Sequence, residues 1–87
     1  MKVSSLEREI RDFLLEEALA PRNIRTLEPD ESLFKTGAID SMVVMKAVAF
    51  CEENFGIEIP DEEIIPENFT SVRALARLIE RTRRAKA

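Results

Sequence analysis

The sequence predicts an all-α protein, a small bundle of three main helices plus one short helix, with a long loop between the first and second helices. Three observations predict it. The chain has 87 residues, which is the size of one small domain. Three of its segments repeat apolar residues in steps of three and four, the spacing of one helix face. Each of these segments follows a Ser, Thr or Asp that can cap a helix.

The first helix is predicted to begin at Ser4, which can form a capping box with Glu7 three residues later. Pro21 ends it near Leu19 or Ala20, because the residue before a proline avoids helical backbone. The apolar stripe of this helix comprises Leu6, Ile10, Phe13, Leu14 and Ala18.

A loop over residues 20–40 follows, with one short turn expected at 31–34. The second helix is predicted to begin at Asp40 or Ser41 and to end at Gly56, a residue type common at helix carboxyl ends. The loop residues expected to contact the core are Leu27, Leu33, Phe34 and Ile39. The inward stripe of the second helix is predicted as Val44, Met45, Val48, Cys51 and Phe55.

The last third of the chain is predicted to hold an extended segment at 57–59, a short helix from Pro60 that Pro66 stops, and a final helix capped by Thr70 and Ser71. The apolar face of that helix comprises Val72, Leu75, Ala76, Leu78 and Ile79. We expect one domain over 1–87, with its core over roughly 4–84 and a frayed tail at 85–87.

The composition excludes several classes of catalyst. The chain has no His, so Ser–His and Cys–His nucleophile pairs and Cys/His zinc sites are excluded, and its one Cys forms no intramolecular disulfide. We expect no catalytic residues and no bound metal.

The longest apolar stretch, residues 42–51, contains Lys46 and is far shorter than the ~20 residues that span a bilayer. With no signal-like amino terminus, we expect a cytoplasmic protein. The short length and the initial Met1 lead us to expect a free-standing protein, and we expect a monomer.

The charge is unevenly spread along the chain. Residues 28–68 carry eleven acids and two bases, a net −9, whereas residues 69–87 carry one acid and six bases, a net +5. The acidic segment repels phosphates and attracts basic protein surfaces. The basic end suits the carboxyl end of a helix and lacks aromatic residues on which bases could stack, so we expect no nucleic-acid partner.

The long loop leads into the second predicted helix through a short run that includes two polar residues at the helix start. The run is Gly37-Ala38-Ile39-Asp40-Ser41-Met42. The Ser41 hydroxyl is expected to point outward beside free backbone amides and the positive end of the helix dipole, where a phosphate group is stabilised. Ser41 has no base beside it, so another protein would have to perform chemistry on it. From these residues alone a plain helix cap is the favoured explanation of Asp40 and Ser41, because Asp and Ser are common helix caps.

The same run resembles the attachment motif of acyl carrier proteins and of the related aminoacyl and peptidyl carrier domains. The resemblance begins at Ser32-Leu33-Phe34 and extends through Phe55-Gly56-Ile57-Glu58-Ile59-Pro60-Asp61-Glu62-Glu63 to Phe69-Thr70-Ser71-Val72. It implies an acyl-carrier-like fold and a 4′-phosphopantetheine arm on Ser41, transferred from coenzyme A by a phosphopantetheinyl transferase. By the same resemblance, Asp40 would help the transferase to bind Mg²⁺ and orient the hydroxyl.

The resemblance also implies partner enzymes, namely an acyl or aminoacyl ligase, acyltransferases and synthases, which dock through basic patches. The residues expected to meet partners are Met42, Val43, Lys46, Glu52, Glu53, Glu58, Asp61, Glu62 and Glu63. The residues expected to line a space for an acyl chain are Met45, Val48, Cys51, Ile59, Ile64 and Leu75, although an ordinary packed core explains them equally well.

The chain departs from carriers of bulk fatty-acid synthesis, which have acids two and five residues after the serine, where this chain has Val43 and Lys46. The spacing between Gly37 and Ser41 is also similar to that in carriers of D-alanine. We therefore expect a carrier of acyl thioesters in a specialised fatty-acid, lipid or polyketide pathway. The alternatives are an aminoacyl or peptidyl carrier loaded by an adenylating ligase and, from another class, a helical adaptor that is never modified.

Overall fold

The architecture consists of three α-helices, seen in a computed structural model that describes residues 4–37 and 39–86. The helices are α1 (Ser5–Leu14), α2 (Ser41–Phe55) and α3 (Val72–Lys86). No strand occurs within the described ranges, so the predicted all-α bundle is confirmed. Residues 85 and 86 of the tail that was expected to fray are the last two residues of α3, while Ala38 and Ala87 lie outside the described residues.

The start of α1 is the predicted capping box. The Ser4 hydroxyl accepts from the Glu7 amide at 3.1 Å, and the Glu7 carboxylate accepts from the Ser4 amide at 3.1 Å. The end of the helix differs from the simple stop expected at Pro21. A π-helical turn, Leu15–Leu19, is followed by a 3-10 turn, Ala20–Arg22, because proline has no amide to continue the α-helical pattern.

The core lies between α1 and α3, and α2 contributes Ala47, Val48 and Cys51 to it. The rings of Phe13 on α1 and Phe50 on α2 stack with centroids 4.2 Å apart. The predicted apolar face of α3 is buried along its whole length, as Val72, Leu75, Ala76, Leu78 and Ile79. These side chains meet Ile10, Leu14 and Leu19 from the first helical run. Burial of these aliphatic faces is the main stabilising contribution.

The long loop is tied to the start of α3. The Leu33 amide donates to the Thr70 carbonyl at 2.8 Å, and the Arg73 amide donates to the Pro29 carbonyl at 2.9 Å. Leu27 and Leu33 are buried and Ile39 packs against the core, as predicted. Phe34 is different, with 43% of its surface exposed. It begins a 3-10 turn, Phe34–Thr36, which lies one residue after the buried Leu33 and turns the ring away from the interior.

The ends of α2 match the prediction, with Asp40 as the amino-terminal cap and Gly56 in left-handed backbone at φ 64°. The predicted inward stripe is wrong at one position, because Met45 is 56% exposed. Ala47 is buried in its place. The inward stripe therefore runs through Val44, Ala47, Val48 and Cys51, which keeps the three-and-four spacing of one helix face.

The short helix predicted from Pro60 is a single 3-10 turn, Asp61–Glu63. A second 3-10 turn, Pro66–Phe69, which the sequence analysis does not predict, begins at the proline that was expected to stop the helix, because proline fits the first position of a helical turn. Before them, Ile57 and Ile59 are buried and Glu58 is exposed, the alternation of an extended chain. The Ser71 hydroxyl accepts from the Ala74 amide at 3.1 Å, which confirms the predicted cap of α3. Across the described ranges, no helix is long and apolar enough to cross a membrane.

Candidate functional site

The start of α2 is fixed by Asp40, which adopts extended backbone just before the helix. Its carboxylate Oδ1 accepts from the Val43 amide at 2.9 Å, and its carbonyl accepts from the Val44 amide at 2.9 Å. The first bond satisfies an amide that would otherwise lack a partner in the first turn, and the second is the first backbone hydrogen bond of the helix. Ser41 is consequently held as the first helical residue.

The Ser41 side chain is exposed at this helix end, as the sequence predicts. None of the described residues hydrogen-bonds to its hydroxyl. The amides of Ser41 and Met42 precede those that Asp40 caps, so the positive end of the helix dipole lies beside the hydroxyl. The geometry suits a hydroxyl that carries an anionic group in solvent.

The approach to Ser41 turns at Gly37, which lies in left-handed backbone at φ 73° after the Phe34–Thr36 turn. The guanidinium of Arg22 lies over this turn and donates to the Thr36 carbonyl at 3.3 Å. A Cβ on residue 37 would stand 3.2 Å from Arg22 Nη1. Both the backbone angle and the close approach therefore favour glycine.

An open groove of about 450 Å³ begins at Ser41. Its wall is mostly apolar and includes three partly exposed side chains, Phe34, Met45 and Ile65. The full lining is Phe34, Ile39, Asp40, Ser41, Val44, Met45, Ile64, Ile65, Pro66 and Phe69. Other open grooves among the described residues, of about 440, 530 and 350 Å³, do not include Ser41.

The six residues predicted to line an acyl space fall into two places. Met45 and Ile64 line the groove at Ser41. Val48, Cys51, Ile59 and Leu75 are buried in the packed core, where the void beside Leu75 measures about 10 Å³. A void of that size barely admits one water. An acyl chain could reach the second set only if the helices moved apart.

The acidic residues predicted to meet partners are not equivalent. Glu53, Glu58, Asp61 and Glu62 are exposed. Glu52 accepts from the Ile59 amide at 3.0 Å, and Glu63 accepts from Asn68 at 3.0 Å and Arg81 at 3.3 Å. The structure thus uses Glu52 and Glu63 to hold the segment after α2, and leaves four carboxylates directed to solvent.

Next to Ser41 the surface is apolar. Met42 is 67% exposed, Lys46 is exposed one turn further on, and Val43 is half-buried against the core. Sequence reasoning did not identify the other exposed groove residue, Ile65, or the contact of Arg22 with the loop. The one signal in the sequence that could have indicated an exposed Ile65 is its position next to Pro66.

Comparison with known proteins agrees with this geometry. A family model described as the phosphopantetheine attachment site matches residues 10–79. The acyl carrier protein of Campylobacter hominis is 33% identical over 79 residues, a stretch that covers 90% of this chain and 94% of that protein. This chain belongs to the acyl carrier protein family, whose members carry a phosphopantetheine and are not themselves catalysts.

The cofactor of this family is a covalently attached 4′-phosphopantetheine. Its phosphate requires an exposed hydroxyl and tolerates a helix amino terminus. Its pantetheine chain requires open space beside that hydroxyl. Ser41 provides the exposed hydroxyl, and the groove provides the open space for the pantetheine chain. The residues present therefore fit a 4′-phosphopantetheine.

Proposed function

We propose that this chain is an acyl carrier whose arm is attached at Ser41, and that it delivers acyl thioesters to enzymes of a specialised fatty-acid, lipid or polyketide pathway. The observation that supports this proposal most directly is the exposed Ser41 hydroxyl at the capped start of α2, next to an open apolar groove. When bound, the arm supplies a terminal thiol that carries the acyl group.

Ser41 and Asp40, at the start of α2, would have different roles in the attachment of the arm. Ser41 supplies the oxygen that bonds to phosphorus, and its proton passes to a base on the transferase while the adenine nucleotide half of coenzyme A leaves. Asp40 holds the first turn through Oδ1 and has a second carboxylate oxygen that can face the Mg²⁺ brought by the transferase. The helix dipole then stabilises the phosphodiester.

The acidic residues directed to solvent fit the proposed partners. Glu53, Glu58, Asp61 and Glu62 would attract ligases, acyltransferases and synthases that present basic patches, which raises encounter rates without tight binding. Such binding weakens as salt rises, because exposed charges are screened over about 8–10 Å at ordinary ionic strength.

Intact mass spectrometry after incubation with coenzyme A and a phosphopantetheinyl transferase tests the attachment. We expect wild type to gain one phosphopantetheine and Ser41→Ala to gain none. Ser5→Ala is the matched control, because Ser5 is likewise the exposed first residue of a helix. If the wild-type protein gains no phosphopantetheine, the proposal is wrong, and the alternative of a helical adaptor that is never modified applies.

The cargo is tested on protein isolated from the source cell. We expect an acyl group that neutral hydroxylamine releases from the arm. An amino acid released in its place would assign the protein to the aminoacyl carriers loaded by an adenylating ligase, the alternative that the spacing between Gly37 and Ser41 favours.

A further inference from the structure

The first helical run ends in irregular backbone that the attachment of an arm does not by itself require. A π-helical turn, Leu15–Leu19, passes into the 3-10 turn Ala20–Arg22, and Asn23 then adopts left-handed backbone at φ 64°. Among the described residues, Asn23 is the one residue other than glycine with positive φ. Asparagine tolerates this conformation better than most residues, which suits it to end a helix.

Two backbone hydrogen bonds close this end in the pattern of a Schellman cap. The Asn23 amide donates to the Ala20 carbonyl at 2.9 Å, and the Ile24 amide donates to the Leu19 carbonyl at 3.0 Å. Ile24 packs against the core, the apolar contact that often accompanies this cap. The backbone of Arg22 lies inside both hydrogen-bonded loops, so the cap fixes the direction in which its side chain leaves the helix.

The Arg22 side chain reaches from this cap to the loop before Ser41. Its Nη1 donates to the Thr36 carbonyl at 3.3 Å and stands 3.2 Å from the position that a Cβ on residue 37 would occupy. Arg81, by contrast, pairs with a carboxylate. A guanidinium that binds a main-chain carbonyl restrains the path of the backbone, whereas one that binds an exposed carboxylate contributes little to structure.

The carbonyl that Arg22 holds belongs to the last turn of the loop before the attachment site. The 3-10 turn Phe34–Thr36 ends at that carbonyl, Gly37 turns the chain at φ 73°, and Asp40 caps α2 three residues later. This turn therefore sets where the start of α2, and with it the Ser41 hydroxyl, stands relative to the rest of the molecule. Arg22 ties the turn to the first helical run.

We propose that Arg22, aimed by the cap at Asn23, is a positioning residue for attachment of the arm. In that reaction the Ser41 oxygen forms a bond to the phosphorus of coenzyme A, the adenine nucleotide half leaves, and the hydroxyl proton passes to a base on the transferase. Arg22 acts through Thr36 and takes no part in these bond changes. The attacking oxygen must lie in line with the leaving group, and a small displacement lowers the rate steeply.

This inference rests on the proposed function and adds a residue of the first helical run to the site. Steady-state kinetics of arm addition, with the carrier concentration varied, test it. We expect Arg22→Ala to lower kcat about fivefold and to leave KM for the carrier unchanged, because the change misplaces the hydroxyl without altering the surface that the transferase binds. Fivefold corresponds to about 1 kcal/mol, the net contribution of one hydrogen bond. Arg22→Lys keeps a donor on a long side chain and should recover part of the rate.

Asn23 offers a second test that leaves the Arg22 side chain in place. Asn23→Val puts a β-branched residue in left-handed backbone, so the cap should rearrange and carry Arg22 away from the loop. We expect kcat to fall about as far as in Arg22→Ala. Asn23→Gly adopts the same backbone freely and should keep the wild-type kcat. A wild-type kcat in Asn23→Val would overturn the role given to the cap.

Two controls separate positioning from other effects of the substitution. Arg25→Ala removes an exposed arginine from the same segment and should keep the wild-type kcat and KM. Gly56→Ala strains the far end of α2, where a Cβ meets nothing within 4 Å, and so lowers stability without touching the loop. Slower arm addition in Gly56→Ala, equal to that in Arg22→Ala, would assign the effect to stability and overturn the proposal. A raised KM with unchanged kcat in Arg22→Ala would make Arg22 a contact of the transferase and overturn it also.

The two levels of proposal fail separately. If wild type gains the arm and Arg22→Ala gains it with the same kcat, Arg22 does not position the hydroxyl, and attachment at Ser41 stands. If wild type gains no arm, the proposed function itself is wrong.

Discussion

Arg22 Nη1 donates a hydrogen bond to the carbonyl oxygen of Thr36 at 3.3 Å and joins the end of the first helical run to the loop before Ser41. The two residues are fourteen positions apart in sequence. The same guanidinium lies against Gly37, where a Cβ would approach it to 3.2 Å. The bond and the contact together hold the turn from which the chain enters α2.

Replacing Gly37 by alanine should destabilise the protein more than the same change at Gly56. Both glycines have positive φ, 73° and 64°, but a Cβ at Gly56 meets nothing within 4 Å. We expect a loss of about 1 kcal/mol from backbone strain at either site, and about 1 kcal/mol more at Gly37 because the Arg22 hydrogen bond is displaced. Urea denaturation of both variants measures this difference.

The double variant Arg22→Ala with Gly37→Ala provides the control. Once Arg22 is absent, the further cost of Gly37→Ala should fall to that of Gly56→Ala. Equal costs in the presence and absence of Arg22 would show that the two residues are not coupled.

Removing the Arg73 side chain should loosen the long loop. Its guanidinium pairs with Glu7 at 3.4 Å and with Asp30, and so links α1, the loop and α3. We expect Arg73→Ala to cost about 1–2 kcal/mol in urea denaturation, because the Arg73 and Glu7 side chains are partly buried, whereas the exposed Asp30 contributes little. Arg77→Ala, one turn further along and exposed, should change stability by less than about 0.5 kcal/mol. Equal effects of the two variants would contradict the link.

The two proposed roles of Asp40 can be separated by substitution. Asp40→Ala removes the cap and should lower the free energy of unfolding by about 1 kcal/mol. Asp40→Asn keeps a capping oxygen, so it should unfold much as wild type does, yet gain the arm more slowly because the carboxylate charge is absent. Thermal melting and a mass-spectrometric time course give the two readouts. A normal modification rate in Asp40→Asn would confine Asp40 to capping.

The Cys51 thiol should be inert in the folded protein. Burial among apolar side chains, with a smaller contribution from the nearby Glu52 charge, raises the pKa of Cys51 to about 12. At pH 8 only about one thiol in ten thousand would then be ionised. Iodoacetamide should therefore label the arm thiol of the modified protein and leave Cys51 unlabelled until the chain unfolds. Rapid labelling of native, unmodified protein would contradict this expectation.

The same pKa sets a direction for stability in alkali. A thiol whose pKa is higher when folded binds its proton more tightly in the native state than in the unfolded chain. This contribution is complete below pH 9, near the ordinary thiol pKa, and is lost as pH rises from 9 towards 12. Cys51→Ala should show a smaller loss of stability over that window, as measured by urea denaturation at each pH.

Much of the fold could be predicted from local chemistry. The capping box at Ser4, the caps at Asp40 and Ser71, and the glycine end of α2 each depend on a few neighbouring residues. The buried face of α3 could be predicted because its other face is charged, which makes the periodicity clear. These features need no information from distant parts of the chain.

The wrong predictions fall in segments that lack this contrast between an apolar face and a charged face. The prediction for Met45 is wrong because the outward face of α2 also carries apolar residues near Ser41, so spacing alone does not distinguish the inner stripe from the outer one. The prediction that Phe34 contacts the core rests on its being apolar, yet the 3-10 turn directs its ring into the groove. The position of Ser41 was predictable, whereas the groove and the Arg22 contact depend on tertiary packing.

The anchoring of the loop on α3 has a consequence for protein synthesis. The amides and carbonyls that hold residues 29–33 belong to Thr70 and Arg73, which the ribosome adds some forty residues later. A nascent chain that has exposed Ser41 but not yet the last helix lacks those tethers. The arm is therefore expected to be added only after the start of α3 has been translated.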